Sequence, residues 1–205
     1  RVYKTKRENK APISPIEFKQ LISVCREWQQ INPDAIDTST RTGRGKKTQA
    51  IVRHRDGYQL EAILTLAVNC AFDNVDIERI TMDSIKLDDK IPHVDFARRK
   101  TEAKVGQPTP RVTPLAVETA TALRTWLAVD SIKSGPVFRS AAMGPYKRAR
   151  LSRAFKRLKV YAGINGGPTF KHIRNAAPTI AFRKLGSEAL ANMILGHEIG
   201  SEARK

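Results

Sequence analysis

The hydrophobic pattern of this chain changes from a helical to a strand period and back again, and those two changes limit the folds the chain can adopt. Apolar residues recur at helical spacing in the N-terminal part and again from residue 116 onward. Between Ile85 and Leu115 they form short runs divided by turn residues, which is typical of strands. The predicted strands cover residues 85–87, 91–97 and 111–113. The pattern therefore predicts an α+β fold, a mainly helical domain with a small three-stranded antiparallel sheet.

Capping signals and apolar stripes locate the predicted helices. A capping box at Ser14–Glu17 predicts the start of the first helix, and Asn32-Pro33 predicts its end. The apolar stripe from Leu60 to Val68 predicts a second, buried helix. Further helices are predicted at 74–80, 116–130, 147–162, 170–185 and 187–195.

Three basic segments lack a hydrophobic period. Residues 38–55 hold many Lys and Arg with two glycines, which predicts a mobile loop. Residues 98–110 predict a long basic hairpin tip before the last strand. Residues 1–12 are polar and predict a linker, so the predicted domain spans residues 13–205.

The charge balance indicates a polyanionic partner. The chain has 37 Lys and Arg against 20 Asp and Glu, a formal net charge of +17. That much positive charge repels itself in a folded protein, which favours binding to duplex DNA or structured RNA. An anionic membrane surface is less favoured, because no basic helix has an apolar face rich in Trp and Phe.

The cysteines and the hydropathy indicate a cellular location. Cys25 and Cys70 lie in apolar contexts and are interpreted as reduced core residues of a cytosolic protein. No apolar run approaches 18 residues, so we expect no membrane span. For a DNA partner, the expected location is the cytoplasm, in association with the nucleoid.

Four residues in the second half of the chain have side chains that could bind a phosphate or transfer a proton to it. Lys171 and Arg174 are three apart on one helix and can reach the same anion, although a solvated basic face has the same spacing. His197 follows a Leu-Gly helix end, where a histidine is also typical as a cap or a packed surface group. Lys100, on the hairpin tip, either reaches a DNA groove and protonates a leaving oxygen or is an exposed loop lysine.

The order of these motifs resembles the catalytic domain of the tyrosine recombinase (phage integrase) family. Lys100-Thr101 is followed by Pro114-Leu115 and a helix, then by Lys171 to Arg174 and by Leu195-Gly196-His197. By that resemblance, the protein cleaves and rejoins DNA strands through a phosphotyrosine intermediate, without metal or other cofactor. Lys100 would be the general acid, and Arg174 the second of two phosphate-binding arginines. Lys171 takes the place usually held by histidine, and His197 hydrogen-bonds the scissile phosphate.

The chain departs from the family pattern at two points. The first arginine belongs to a motif like Gly-Leu-Arg-x-x-Glu-Leu, which corresponds here to Ala71–Ile77, with Asp73 in place of the arginine. Losing such a donor typically lowers the rate by roughly 10²–10³. Arg79 is close in sequence and could supply the charge, or it could pair with Asp76. The family's tyrosine is expected about nine residues after the histidine, beyond Lys205, so residues 1–205 alone are predicted to be inactive.

The predicted function is therefore that of a DNA-binding recombinase or integrase catalytic domain that self-associates on DNA. One alternative is a catalytically degenerate relative that binds DNA without cutting it. A basic RNA-binding structural protein is less favoured, because only 6% of residues are aromatic. A carboxylate metal site in 73–83 is disfavoured, because acids at a helix start are usually caps. The predicted DNA-binding residues are Arg44, Lys46, Lys47, Arg53, Arg98, Arg99, Lys104, Arg148, Arg150 and Arg153.

Overall fold

The computed structural model describes residues 13–97, 111–165, 168–179 and 186. The α-helices in this part are α1 Pro15–Gln29, α2 Arg41–Asn69, α3 Asn74–Arg79, α4 Val117–Val129, α5 Arg148–Tyr161 and α6 Phe170–Arg174. Two 3₁₀ turns lie at Pro33–Ala35 and Met82–Ser84. The strands are β1 Ile85–Lys86, β2 His93–Asp95 and β3 Val112–Pro114. None of the helices in these ranges has the length and apolar character needed to cross a membrane.

The small sheet is confirmed. Its three strands run antiparallel in the order β1-β2-β3, and β2 is the central strand. Val94 pairs with Ile85 on one side and with Thr113 on the other. Each strand is shorter than or equal to its predicted length, because pairing covers only two or three residues. The predicted hairpin tip at 98–110 lies outside the described residues.

Helix α1 begins where its capping box predicts. The Ser14 hydroxyl accepts a hydrogen bond from the Glu17 N–H at 3.2 Å, and the Glu17 carboxylate accepts one from the Ser14 N–H at 2.8 Å. Cys25 and Trp28 of the buried face pack against α2 at Gly57, where an added Cβ would lie 2.7 Å from the Cys25 carbonyl oxygen. Glycine therefore permits the close approach of these two helices. Cys25 is buried and carries a free thiol, as does Cys70.

The predicted mobile loop at 38–55 is wrong for most of its length. Residues from Arg41 onward form the first half of α2, which begins where the Thr40 side chain accepts a hydrogen bond from the Gly43 N–H at 2.9 Å. Only Gly43 and Ala50 are buried before residue 56, so this half has no apolar stripe. It continues from the buried second half, because each added residue extends an existing helix at little cost. The stripe from Leu60 to Val68 is confirmed as part of the same helix.

A partly buried polar contact joins α2 to the end of α4. The Arg55 guanidinium makes two hydrogen bonds to the Asp130 carboxylate, at 2.8 and 3.0 Å, and lies over the Trp126 ring. The indole N–H of Trp126 donates to the Val137 carbonyl at 2.8 Å. Arg55 thus positions helices rather than offering its charge to solvent.

The C-terminal predictions extend past the described residues. Helical residues occur at 170–174 and 176–179, in agreement with the start of the predicted helix at 170–185. Gly186, the predicted C-cap of that helix, has φ of +65°, a conformation that favours glycine. The predicted helix at 187–195 and the predicted linker at 1–12 lie outside the described residues.

Candidate nucleic-acid interface

The chain between α2 and α3 fixes the position of Asp73. Ala71 has φ of +51°, a left-handed conformation that glycine adopts more easily, and it stands at the glycine position of the motif compared above. Asp73 then caps α3: its Oδ1 accepts hydrogen bonds from the Val75 and Asp76 N–H groups, at 2.8 and 3.2 Å. The Asp76 carboxylate accepts one from the Asp73 N–H at 2.9 Å. Both acids are therefore caps, as expected for carboxylates at a helix start.

Helix α6 holds the Lys171 and Arg174 pair. Its first turn is stabilised by His172, whose Nδ1 accepts a hydrogen bond from the Thr169 N–H at 2.8 Å. Lys171 is exposed, whereas Arg174 is only 5% exposed. The Arg174 guanidinium lies 3.3 Å from the Asp73 carboxylate, an ion pair between the two family positions expected to hold two arginines. Part of the guanidinium is therefore already bound to an anion.

These residues line one cleft of about 660 Å³ between α3, α5 and α6, called here the Asp73 cleft. Besides Lys171 and Arg174, three basic residues of α5 lie in its wall, and Asp73 is its one described acid. Arg79 is exposed, and it is absent from the described lining. The described lining comprises Asp73, Asn74, Val75, Arg148, Ser152, Phe155, Lys156, Lys159, Pro168, Thr169, Phe170, Lys171 and Arg174. Lys100 and His197 lie outside the described residues, so their predicted place in this cleft stays a prediction.

Glu78 fixes the start of α5 against α3. Its carboxylate lies 3.1 Å from the Lys147 ammonium and 3.5 Å from the Arg148 Nε, and it accepts a hydrogen bond from the Arg148 N–H. Burial by itself raises the pKa of the Glu78 carboxyl, but the hydrogen bonds from Lys147 and Arg148 outweigh it and hold that pKa below its ordinary value. The start of α5 is therefore fixed next to the Asp73 cleft.

The opposite flank of α5 lines a second cleft of about 640 Å³, called here the Arg157 cleft. Two arginines near it are aligned by aromatic rings: Arg53 lies over Tyr161 at 5.1 Å and Arg150 over Tyr146 at 5.5 Å. Lys156 contributes to both clefts. The lining of the Arg157 cleft comprises Val52, Arg150, Arg153, Lys156, Arg157, Val160 and Tyr161. Helix α5 thus presents basic side chains on both sides of its buried stripe.

A buried acid stands behind this second cleft. Asp56 is 2% exposed, and its carboxylate lies 3.2 Å from the Arg157 guanidinium. Burial raises the pKa of Asp56, and the charges of Arg157, Arg150 and Arg55 oppose that rise. Burial also raises the pKa of the nearby Tyr146 hydroxyl to about 12. Burial thus disfavours the charged form of Asp56, and the contact with Arg157 favours it.

Three of the predicted DNA-binding residues lie away from both clefts. Arg44, Lys46 and Lys47 lie in the first turns of α2, where Lys47 pairs with Asp34 at 3.0 Å. Arg98, Arg99 and Lys104 lie outside the described residues. Asp56 gave no signal in the sequence, whereas the basic residues of α5 that were not singled out, Lys156, Arg157 and Lys159, follow the same three- and four-residue spacing as the predicted ones.

Helices around a three-stranded antiparallel sheet, with a basic cleft between α3, α5 and α6, define the catalytic-domain fold of tyrosine recombinases. The chain belongs to the phage integrase family, whose model matches residues 44–205. No curated protein matches this chain.

Solved structures agree with that assignment. XerA recombinase is similar over 100% of this chain and 61% of its own, with a TM-score of 0.66 and 16% identity. A λ integrase dimer bound to a COC′ core site, residues 75–356, is similar over 100% of this chain and 61% of its own, with a TM-score of 0.61 and 17% identity. The Tn1549 transposon integrase in complex with circular intermediate DNA covers 96% and 60%, with a TM-score of 0.60 and 12% identity. This chain thus spans about 60% of the length of these three structures.

Proposed function

We propose that this chain is the catalytic domain of a site-specific recombinase or integrase and that it binds duplex DNA. The observation that carries the proposal is the Asp73 cleft, in which Lys171 and Arg174 line one wall and the basic residues of α5 line the other. The family assignment and the similarity to structures titled as DNA complexes support it. Self-association on DNA and a location with the nucleoid in the cytoplasm belong to the same proposal.

In the proposed reaction, a tyrosine hydroxyl gives up its proton, its oxygen attacks a DNA phosphorus, and the bond to the 5′ oxygen breaks. Arg174 donates hydrogen bonds to the phosphate oxygens, and Lys171 adds a positive charge beside them. Lys100 protonates the leaving 5′ oxygen, and His197 hydrogen-bonds the same phosphate. The resulting phosphotyrosyl bond stores the energy needed for rejoining, since the 5′ hydroxyl of another strand can reverse the step.

A second candidate function is a DNA-binding relative that does not cleave. One observation favours it: Asp73 pairs with Arg174 at 3.3 Å, in the place where a second arginine would add positive charge. A carboxylate beside a phosphodiester repels it and removes transition-state stabilisation. The two candidates share DNA binding and differ only in the covalent step.

A nicked suicide substrate tests both parts of the proposal. Residues 1–205 should shift a labelled DNA duplex in a gel, and unlabelled duplex RNA should compete poorly with that DNA. The same residues should form no covalent adduct. An adduct formed by this chain would place the nucleophile within it. Failure to bind duplex DNA would overturn the proposed function. A form extended past Lys205 that carries a tyrosine should form the adduct if the domain is an enzyme, and Asp73→Arg in that form should increase the yield.

A further inference from the structure

The contact between Asp56 and Arg157 has no part in the proposed cleavage. Asp56 lies on α2, is 2% exposed, and contacts a guanidinium whose side chain is 57% exposed. A buried carboxylate is costly unless it is paired, and its raised pKa reflects that cost. An exposed arginine needs no partner to be soluble. The effect of the pair on Arg157 is therefore to orient its guanidinium, since the charge of this side chain is already solvated.

The neighbouring arginines lie in a row on the same helix and have orienting contacts of other kinds. Arg150, Arg153 and Arg157 occupy positions i, i+3 and i+7 of α5, which spans roughly 10 Å along a helix. Along the duplex axis, where each strand carries one phosphate per 3.4 Å, that length corresponds to about three nucleotide steps. Arg150 is aligned by the Tyr146 ring, and Arg153 donates to the Ala149 carbonyl at 3.3 Å. Guanidinium groups in such a row can reach several phosphates of one strand.

The remaining lining of the Arg157 cleft favours a sugar-phosphate backbone. Val52, Val160 and the exposed Tyr161 give it apolar patches between the charges, which can contact deoxyribose. Lys156 belongs to both clefts, so one strand can pass from the Asp73 cleft across α5 to the Arg157 cleft. An acidic protein segment is the competing occupant, but it would not require continuity with the Asp73 cleft.

We propose that the Arg157 cleft binds a stretch of DNA backbone flanking the cleavage point, and that Asp56 is the positioning residue that holds Arg157 toward it. This inference rests on the proposed function of DNA binding. It assigns to a carboxylate a favourable effect on binding a polyanion, which total charge alone does not predict.

Asp56→Asn tests the proposal because the two explanations give opposite signs. If only charge mattered, removing a negative charge would tighten DNA binding. If Asp56 positions Arg157, duplex affinity should fall about tenfold, the loss of one charge-assisted contact. The slope of log K against log salt should also become less steep by about one phosphate contact. The control is Asp88→Asn, which removes an exposed acid on the β1–β2 turn, outside both clefts, and should leave affinity unchanged or slightly higher.

Arg157→Ala and the double variant complete a thermodynamic cycle. Arg157→Ala should weaken binding as much as Asp56→Asn does, and the double variant should be no weaker than Arg157→Ala, because Asp56 acts through that side chain. Thermal unfolding of each variant establishes that it is folded. If Asp56→Asn does not fold, Arg157→Lys decides the matter, because it keeps a positive charge beside the buried Asp56 but loses the planar guanidinium. Duplex affinity should then fall although the net charge is unchanged, and an unchanged affinity would overturn the inference.

Some results would overturn this inference and leave the proposed function intact. Wild-type binding to DNA combined with unchanged affinity and salt slope in both variants would mean that the Arg157 cleft faces something other than DNA, such as an acidic protein. Strictly additive losses in the cycle would remove the positioning role of Asp56. By contrast, a wild-type chain that does not bind duplex DNA at all would contradict the proposed function itself.

Discussion

Asp73 combines two roles that have different chemical requirements. As the cap of α3 it needs only an acceptor oxygen for the Val75 and Asp76 N–H groups. As the partner of Arg174 it needs a negative charge. Asparagine satisfies the first requirement and fails the second, so a single substitution separates the roles.

Asp73→Asn should tighten duplex DNA binding about fivefold, because it removes a negative charge that faces the phosphate in the proposed complex. It should also lower the free energy of unfolding by about 1–3 kcal/mol, because the mostly buried Arg174 loses this charged partner. Fluorescence anisotropy and urea unfolding measure the two effects.

The control for that experiment is Asp73→Ala. It removes the charge and the cap together, so it should cost about 1 kcal/mol more of unfolding free energy than Asp73→Asn. Weaker DNA binding by Asp73→Asn would mean that Arg174 needs its carboxylate partner in order to hold a phosphate.

The pH dependence of stability should report Asp56. Burial raises its pKa above the ordinary 3.8, despite the facing charges of Arg157, Arg150 and Arg55, and the Tyr146 hydroxyl beside it titrates only near 12. Above pH 3.8 the native protein therefore keeps a proton that the unfolded chain has lost, so this residue's contribution falls as pH rises through that window. As pH rises from 3.5 to 7, the unfolding free energy of wild type minus that of Asp56→Asn should therefore decrease, as measured by urea titrations at each pH. A constant difference across that range would show that the Asp56 pKa is the same in both states.

At the scale of elements, α2 shows how glycine serves opposite purposes in one helix. Gly57 lies where α1 crosses α2, and an added Cβ would meet the Cys25 oxygen at 2.7 Å and the Gln29 nitrogen at 3.0 Å. Gly45 lies in the exposed first half, and an added Cβ there would meet no atom within 4 Å among the described residues.

Gly57→Ala should therefore destabilise the protein by about 1–3 kcal/mol, because the backbones of α1 and α2 must separate. Gly45→Ala is the matched control and should stabilise it by about 0.5–1 kcal/mol through helix propensity alone. Thermal unfolding of the two variants gives the comparison. If Gly45→Ala had no effect, the first half of α2 would not be helical in solution.

The same helix shows what the sequence could and could not predict. Its second half was predicted because Leu60 to Val68 repeat at helical spacing against the core. Its first half has only two buried residues, so the hydrophobic pattern there was indistinguishable from that of a loop. Capping boxes, which depend on neighbours in sequence, were predicted well, as at Ser14 and Glu17. Lys171 and Arg174 were found together for the same local reason.

Pairs that are distant in sequence could not be predicted in this manner. Asp56 and Arg157 are 101 positions apart, as are Asp73 and Arg174. No periodicity links residues at that separation, because the contact depends on how α2, α3, α5 and α6 pack. The comparison with the family indicated that Asp73 was unusual, but only the fold identified Arg174 as its partner.

At the scale of the whole molecule, the two clefts and the formal charge of +17 predict strongly salt-dependent DNA binding. If about six phosphates are neutralised, log K against log salt should have a slope near −5. Anisotropy titrations between low and physiological salt measure it. A slope near zero would contradict a phosphate-binding interface on this chain.

The ion pair between Asp73 and Arg174 has a further consequence for recognition in the proposed complex. Because one nitrogen of the Arg174 guanidinium is already paired with Asp73, a phosphate must share the guanidinium with that carboxylate or replace it, which lowers the net free energy gained at this position. The arginines of α5 therefore contribute affinity for any DNA backbone, whereas Arg174 of α6 favours a phosphate that comes close enough to compete with the Asp73 carboxylate. A strand whose phosphate does not reach Arg174 would be bound by α5 without contacting the proposed cleavage site.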